Sequence, residues 1–301
     1  MSEVVNIPKV DRDERIGSAF NHLFNVINKT EGFAKEKVQW NFSESSFFHP
    51  FFIAPLALYK KSCCKDIECI NKSEYIDSYF NMIYFNNPLY VDSNTNLEEI
   101  LKGYLKKSYI PICCFDLCNN NIDSLQTIIQ RIIEKQSNAD RKITTPLSYF
   151  LGELICNISQ HSQSNVGYIY SQYLRREKCI DICIADSGIT VYGSYIKANK
   201  YMDEIGDDEA IALKKANEGY STKDLPDAEN RGYGIISTKN MLVDGLKGSF
   251  FMLSGGAFHR HDNDGSEFTR LPKSIYWNGT IILMRIPVDV SEDFNYMEYI
   301  Q

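Results

Sequence analysis

A row of polar side chains lies along one face of a strong helix pattern that runs from Thr144 to Ser162. Glu153, Asn157 and His161 are spaced four residues apart, so they stack on one side of a helix. Most remaining positions are Leu, Ile or Phe, which predicts that the rest of the helix is buried. A carboxylate and an amide one turn apart can activate a water or hydroxyl and ligate a hard cation such as Mg²⁺. The same spacing is also typical of the solvated side of an amphipathic helix.

A second segment combines a buried strand with an acidic end. Residues 178–186 alternate isoleucines on one face, which predicts a strand, and the strand ends in Asp186-Ser187-Gly188. Such a carboxylate could accept a hydrogen bond from an exocyclic amine, and glycine allows close approach of the backbone to a ring. An ordinary turn is the alternative interpretation.

Two further glycine segments follow. Gly232 and Gly234 precede the apolar helix pattern 235–242, and exposed N–H groups at a helix start favour phosphate. A lone pair of glycines is equally typical of a loop before a helix. Gly279-Thr280 opens a terminal strand of apolar residues.

The order of these four segments resembles the GHKL family of ATP-binding domains, over residues 144–287. The resemblance implies a C-terminal two-layer α/β sandwich with a mixed sheet and helices on one face, and it implies ATP and Mg²⁺ as cofactors. It also implies a role for each matching residue: general base for Glu153, magnesium ligand for Asn157, adenine-recognising carboxylate for Asp186, close approach to the base at Gly188, phosphate binding at Gly232 and Gly234, and support of the adenine pocket at Thr280. The sequence departs from the family at Thr190, which stands where the family has a second glycine, so a stiffer loop is expected there.

In the resembled family, the segment corresponding to residues 188–231 is the ATP lid. The sequence predicts a helix over 207–218 within it, started by aspartates and stopped by Gly219. Lys223 and Arg231 could pair with phosphate oxygens, or they could be solvated loop charges. A loop of this length predicts ordering on nucleotide binding.

The first part of the chain alternates helix and strand patterns, which predicts an α/β domain. A polar stretch at 135–142 predicts the boundary between an N-terminal regulatory or interaction domain, residues 1–138, and a nucleotide-binding domain, residues 139–301. The N-terminal part has a weak resemblance to STAS-like domains, without a specific motif.

Composition limits the kinds of partner and the cellular compartment that we expect for this protein. The net charge is −7 with no basic block, which disfavours direct nucleic-acid binding. No apolar run reaches the roughly 18 residues that span a bilayer, and the first residues do not form a signal peptide. Nine cysteines without a CxxC pair fit a reducing compartment. The expectation is a soluble, cytoplasmic protein without a membrane partner.

The resemblance leaves three functions open. The first is Mg²⁺-dependent ATP hydrolysis that drives a lid or dimerisation switch in signalling, with a protein partner or a second copy of the chain. The second is transfer of phosphate to a serine or threonine of a partner, as in anti-sigma-factor kinases, whose helix resembles residues 152–162, including His161. The third is a non-catalytic nucleotide-binding switch.

Overall fold

The computed structural model describes residues 3–10, 16–92, 94–116, 122–222 and 233–299. Within them the chain is a mixed α/β protein. It divides into two compact units, one formed by residues 1–89 and 111–113 and the other by residues 90–110 and 114–301. The domain boundary expected from composition at residue 138 stays a prediction.

The first unit contains a parallel three-stranded sheet in the order β1-β2-β3. Strands and helices alternate along it: β1 (Glu3–Asn6), α1 (Ile16–Glu31), β2 (Lys37–Asn41), α2 (Pro50–Ser62), β3 (Asp66–Ile70) and α3 (Glu74–Met82). This alternation is the one that the sequence pattern predicts for the first part of the chain. The Ser73 hydroxyl accepts a hydrogen bond from Ile76 N at 3.3 Å and so caps α3.

The rest of the chain supplies the larger sheet and its helices. The elements are β4 (Leu89–Val91), α4 (Leu97–Lys102), β5 (Cys113–Asp116), α5 (Ile122–Ser137), α6 (Arg141–His161), β6 (Val166–Leu174), β7 (Cys179–Ala185), α7 (Val191–Ala198), α8 (Met202–Ile205), α9 (Glu209–Asn217), α10 (Tyr233–Asn240), β8 (Ser249–Gly255), β9 (Ala257–Asp262), β10 (Gly265–Arg270) and β11 (Trp277–Pro287). A π-helical turn, Met241–Gly245, extends α10, and a 3-10 turn lies at Tyr296–Glu298.

The eight strands of this sheet run in the order β10-β9-β8-β11-β7-β6-β5-β4. Strand β7 is buried along its whole length and pairs antiparallel with β11 and β6. The apolar face of α6 is buried, and α6 packs against α5 and α10. Helix α6 begins three residues before the predicted start because the Asp140 carboxylate accepts a hydrogen bond from Lys142 N at 2.8 Å. The two-layer arrangement expected from the GHKL resemblance stays a prediction.

The predicted lid segment is helical where the structure describes it. The helix expected over 207–218 is α9, and its first turn is capped by Asp208, which accepts from Ala210 N at 2.8 Å. Gly219 then adopts φ +90°, a left-handed conformation that ends the helix. In the described parts of the chain, no helix is long and apolar enough to cross a membrane.

Candidate functional site

The Asp186 carboxylate lies at the end of β7, at the floor of a pocket. Its oxygen Oδ1 accepts a hydrogen bond from Gly188 N at 2.8 Å. Its backbone is held from the neighbouring strand, because Asp186 N donates to Thr280 O at 2.9 Å and Trp277 Nε1 donates to Asp186 O at 2.9 Å. The backbone of Asp186 is therefore held by β11, about ninety residues later in the sequence, and its carboxylate is held by the backbone of its own turn.

Burial changes the acidity of this group. Asp186 is only 1% exposed, and the loss of hydration raises the pKa of its carboxyl to about 7. Backbone hydrogen bonds from Gly188 and Thr280 favour the ionised form and offset part of that rise. The carboxyl therefore changes charge near neutral pH, unlike an exposed aspartate.

Two glycines allow the chain to pack closely around this carboxylate. A Cβ atom at Gly188 would lie 1.9 Å from Ser162 O, at the end of α6. A Cβ at Gly279 would lie 2.5 Å from Asp186 O and Oδ1, and Gly279 has φ +93°, where side chains are strained. Gly279 lies at an irregularity in the pairing of β11 with β8, between Trp277 and Thr280. Both glycines are thus required by the backbone geometry.

The same pocket is lined by side chains from α6 and β11. Asn157, Asp186 and Thr280, which the sequence singles out in three separate segments, all line it. Its aliphatic lining comes from seven side chains: Ile158, Ile189, Val191, Ala216, Ile235, Met252 and Ile282. The result is an apolar pocket with a few polar groups, the usual composition of a small-molecule site.

Glu153 lies one turn before Asn157 on α6, where α6 meets α10. A Cβ at Gly234 would lie 1.8 Å from Glu153 Oε2, so the carboxylate rests directly on the backbone of the first turn of α10. Acidic groups are stabilised at helix amino ends by the free N–H groups and the helix dipole. The contact brings together two residues that were predicted to serve separate roles.

The Asn157 amide lines the pocket with its nitrogen unsatisfied by any described residue. Its Nδ2 atom is buried and has no hydrogen-bond partner within the described residues. No group of three His, Cys, Asp or Glu side chains that could hold a metal ion occurs in the described parts of the chain. Mg²⁺ usually keeps several waters and takes only one or two protein ligands beside substrate phosphates. The Asn157 amide oxygen is a ligand of the type that such a site uses.

The outer wall of the pocket is formed by α7 and the segment after α9. Thr222 Oγ1 lies 3.1 Å from both His161 Nδ1 and Ser194 Oγ, so it links this segment to α6 and α7. The ring of Tyr220 lines the pocket and lies under the Lys215 ammonium, with Nζ 4.2 Å from the ring centroid. Sequence patterns did not identify this wall, although Tyr220 and Thr222 immediately precede the predicted Lys223.

Thr190 has a clear local role. Its backbone is extended, with φ −73°, and its hydroxyl accepts from Gly193 N at 2.9 Å to cap α7. A glycine is therefore not needed at this position, because the backbone conformation is open to any residue. The departure from the family pattern starts a helix here.

Three predicted residues, Lys223, Arg231 and Gly232, lie outside the described residues. Two histidines close together in the sequence, His259 and His261, belong to strand β9. His259 stacks on Phe268 with ring centroids 3.9 Å apart, and burial lowers the pKa of its imidazole to about 3. It is therefore a neutral core side chain.

Comparison with known proteins adds no assignment, because no family model, curated protein or solved structure matches this chain. The chemistry of the site must therefore be inferred from its geometry. That geometry combines a buried acid, an apolar pocket, an amide, and a carboxylate at a helix amino end.

Proposed function

We propose that the second unit binds an adenine nucleotide with Mg²⁺ in this pocket and hydrolyses ATP, as GHKL-type ATPases do. The observation that carries the proposal is that segments far apart in the sequence converge on one pocket. Asn157, Asp186 and Thr280 come from three distant segments and line one pocket, and Ile235 of α10 lines it beside them. A polar row on a solvated helix face would have no reason to meet a buried acid and a helix amino end.

At the base end of the pocket, Asp186 would accept a hydrogen bond from the exocyclic amine of adenine. The flat ring would lie among apolar side chains, including Ile189, Met252 and Ile282. Because Asp186 is held by backbone groups, its orientation is set before the ligand binds. Such preorganisation lowers the cost of binding.

At the other end, the first turn of α10 would direct the positive end of its helix dipole towards the phosphates. Asn157 lies one helical turn from Glu153, so a cation on its amide oxygen would be close to the proposed base. A bound magnesium ion would offset the charge of the phosphate oxygens. Without it, the Glu153 carboxylate and the phosphates would repel each other near the start of α10.

In hydrolysis, Glu153 would accept a proton from a water molecule as the water oxygen bonds to the γ-phosphorus. The bond from that phosphorus to the β–γ bridging oxygen would break, giving ADP and inorganic phosphate. Positioned acid–base groups of this kind contribute about 10²- to 10⁴-fold in rate. Opening and closing of the segment that carries α7 to α9 would couple this cycle to a partner or to a second copy of the chain.

Transfer of the phosphate to a serine or threonine of a partner protein is the second candidate. The observation that favours it is the position of His161, which lines the pocket four residues after Asn157. The same spacing occurs in the helix of the anti-sigma-factor kinases that residues 152–162 resemble. In this case, Glu153 would take the proton of the partner's hydroxyl group in place of a water proton.

Incubation of the full chain with γ-labelled ATP and Mg²⁺, alone and with candidate partner proteins, tests the proposal. Release of labelled free phosphate is the expected result. Label on a protein would instead support phosphate transfer, and nucleotide binding without movement of the label would support a switch. Failure to bind any adenine nucleotide in calorimetry would refute the proposal.

The pKa of Asp186 predicts a pH dependence of base recognition. The amine needs the ionised carboxylate, so affinity for adenosine is expected to rise about tenfold between pH 6 and pH 8, as a pKa of about 7 implies. Adenosine is the appropriate probe because it carries no phosphate that titrates in this range. Calorimetric titration at three pH values measures the effect, and an affinity independent of pH would contradict the assignment.

The Asp186 carboxyl also makes the stability of the unliganded protein depend on pH. Here the effect is opposite in sign, because stability falls as the pH rises. The carboxyl pKa is higher in the folded state than in the unfolded chain, so the folded state holds its proton more tightly. The stabilising contribution is full below about pH 4 and is lost as the pH rises through about 7. Asp186→Asn is expected to remove this component from the pH dependence of Tm.

A further inference from the structure

A buried hydroxyl beneath the pocket joins three of its segments. Ser254, on β8, is 3% exposed. Its Oγ atom donates a hydrogen bond to Gly279 O at 2.9 Å and accepts one from Val191 N at 2.9 Å. It also lies 3.2 Å from Thr280 Oγ1. Sequence patterns gave no indication of this residue, since a serine in an apolar strand has no distinctive neighbours.

The number of donors and acceptors on a hydroxyl group determines which of Ser254 and Thr280 donates in the contact between them. A serine hydroxyl has one hydrogen and two lone pairs. The hydrogen of Ser254 is committed to Gly279 O, because a carbonyl can only accept. In the bond between the two hydroxyls, Thr280 must therefore be the donor. The hydrogen of Thr280 then points at Ser254, and only lone pairs of its oxygen face the pocket.

Two acceptors therefore face a ligand at this end of the pocket. Thr280 presents lone pairs, and the ionised Asp186 carboxylate can only accept. Both residues line the pocket, and Asp186 N bonds directly to Thr280 O. An amino group, with two hydrogens, can satisfy both acceptors. A carbonyl oxygen in the same position would face lone pairs on both sides.

We propose that Ser254 is a specificity-determining residue. Its Oγ atom accepts the hydroxyl hydrogen of Thr280, which leaves only acceptors facing the ligand and so selects a 6-amino purine over a 6-oxo purine. The inference rests on the proposed function, and it names the feature of the ligand that this site recognises. Ser254 acts through Thr280 and the backbone, without touching the ligand, so it is a positioning residue. Removing its hydroxyl frees the Thr280 hydrogen to rotate and to donate to a 6-oxo group.

The test compares adenosine with inosine, which differ at this group, in calorimetric titrations at pH 8 with the full chain. Wild type is expected to prefer adenosine by about a hundredfold or more, because a buried acceptor left facing another acceptor is costly. Ser254→Ala is expected to lower the ratio of the two affinities about tenfold. Ser254→Thr, which keeps the hydroxyl, is expected to retain the wild-type ratio.

A purely structural role for Ser254 would weaken both nucleosides equally, and an unchanged ratio in Ser254→Ala would overturn the inference. Thr280→Val provides a double-mutant cycle: it should lower the ratio alone, and Ser254→Ala should add nothing in that background. Additive effects would also overturn the inference. If Ser254→Ala does not fold, Ser254→Cys keeps the shape of the side chain, but its sulfur is a weak donor and a weak acceptor, so it is expected to lower the ratio. Wild type that binds neither nucleoside would refute the proposed function itself.

Discussion

Asp186→Asn is expected to lower the affinity for adenosine and for ATP by at least about a hundredfold, the largest effect on binding that the site predicts. The carboxylate has two oxygens, and backbone N–H groups of Gly188 and Thr280 bond to it. An amide has one oxygen, which these backbone donors would hold. Its NH₂ group would then face the pocket and meet the amine of the base donor to donor.

The stability of the variant separates this loss of recognition from unfolding. At pH 8 the wild-type carboxyl is ionised and buried, which is unfavourable. The neutral amide removes that cost, so Tm at pH 8 is expected to equal or exceed that of wild type. Lost binding together with a lowered Tm would indicate that Asp186 supports the fold and does not recognise a base.

Asp181→Asn is the matched control for this experiment. Asp181 lies on the same strand, is fully buried, and bonds Arg285 Nε and Nη2 through its two oxygens at 2.8 Å each. Its replacement leaves Arg285 without its charged partner, so Tm is expected to fall. Adenosine affinity is expected to stay within about threefold of wild type, since that carboxylate does not line the pocket.

Glu153→Gln is expected to lower the rate of ATP turnover about a hundredfold or more. The affinity for ATP is expected to stay within about threefold of wild type. Glutamine keeps the size of the side chain, which the close contact with Gly234 requires, but its amide cannot accept a proton at neutral pH. Single-turnover release of labelled phosphate measures the effect directly, and calorimetry measures binding in the same preparation. Glu153→Ala is expected to give the same loss of turnover.

Glu177→Gln makes the same chemical change at an exposed turn between β6 and β7 and is expected to leave both measurements unchanged. If Glu153→Gln retained turnover, the base would have to be another residue. A parallel loss of binding and turnover would instead indicate that the carboxylate stabilises the start of α10 and has no chemical role.

Local patterns in the sequence predicted most elements of the fold. Helix α6, strand β7 and helix α9 depend on side-chain spacing and on capping residues within a few positions, which a single sequence displays. The amphipathic pattern over 96–107 is longer than the helix that forms there. Helix α4 stops at Lys102 because Gly103 follows, a residue with low helix propensity. Sheet order could not be predicted, since strands β7 and β11 pair across about a hundred residues.

The site was predictable to the extent that its residues carry a motif. Asp186, Asn157 and Thr280 were singled out because their chemistry and order resemble a known family, and they do line one pocket. Ser254, Ser194 and Thr222 were missed because their roles arise from contacts 25 to 63 residues apart in sequence. Hydroxyl groups of this kind have no pattern of their own, and only the folded chain brings them together.

The contact between Glu153 and Gly234 also limits how this chain can change. Any side chain at 234 would overlap the end of the Glu153 side chain, so the glycine is needed while position 153 carries a side chain of that length. A lineage with a shorter side chain at 153 would be free to accept alanine or serine at 234, whereas one that kept glutamate would not. The two positions are therefore expected to be inherited as a pair, although eighty other residues separate them along the chain.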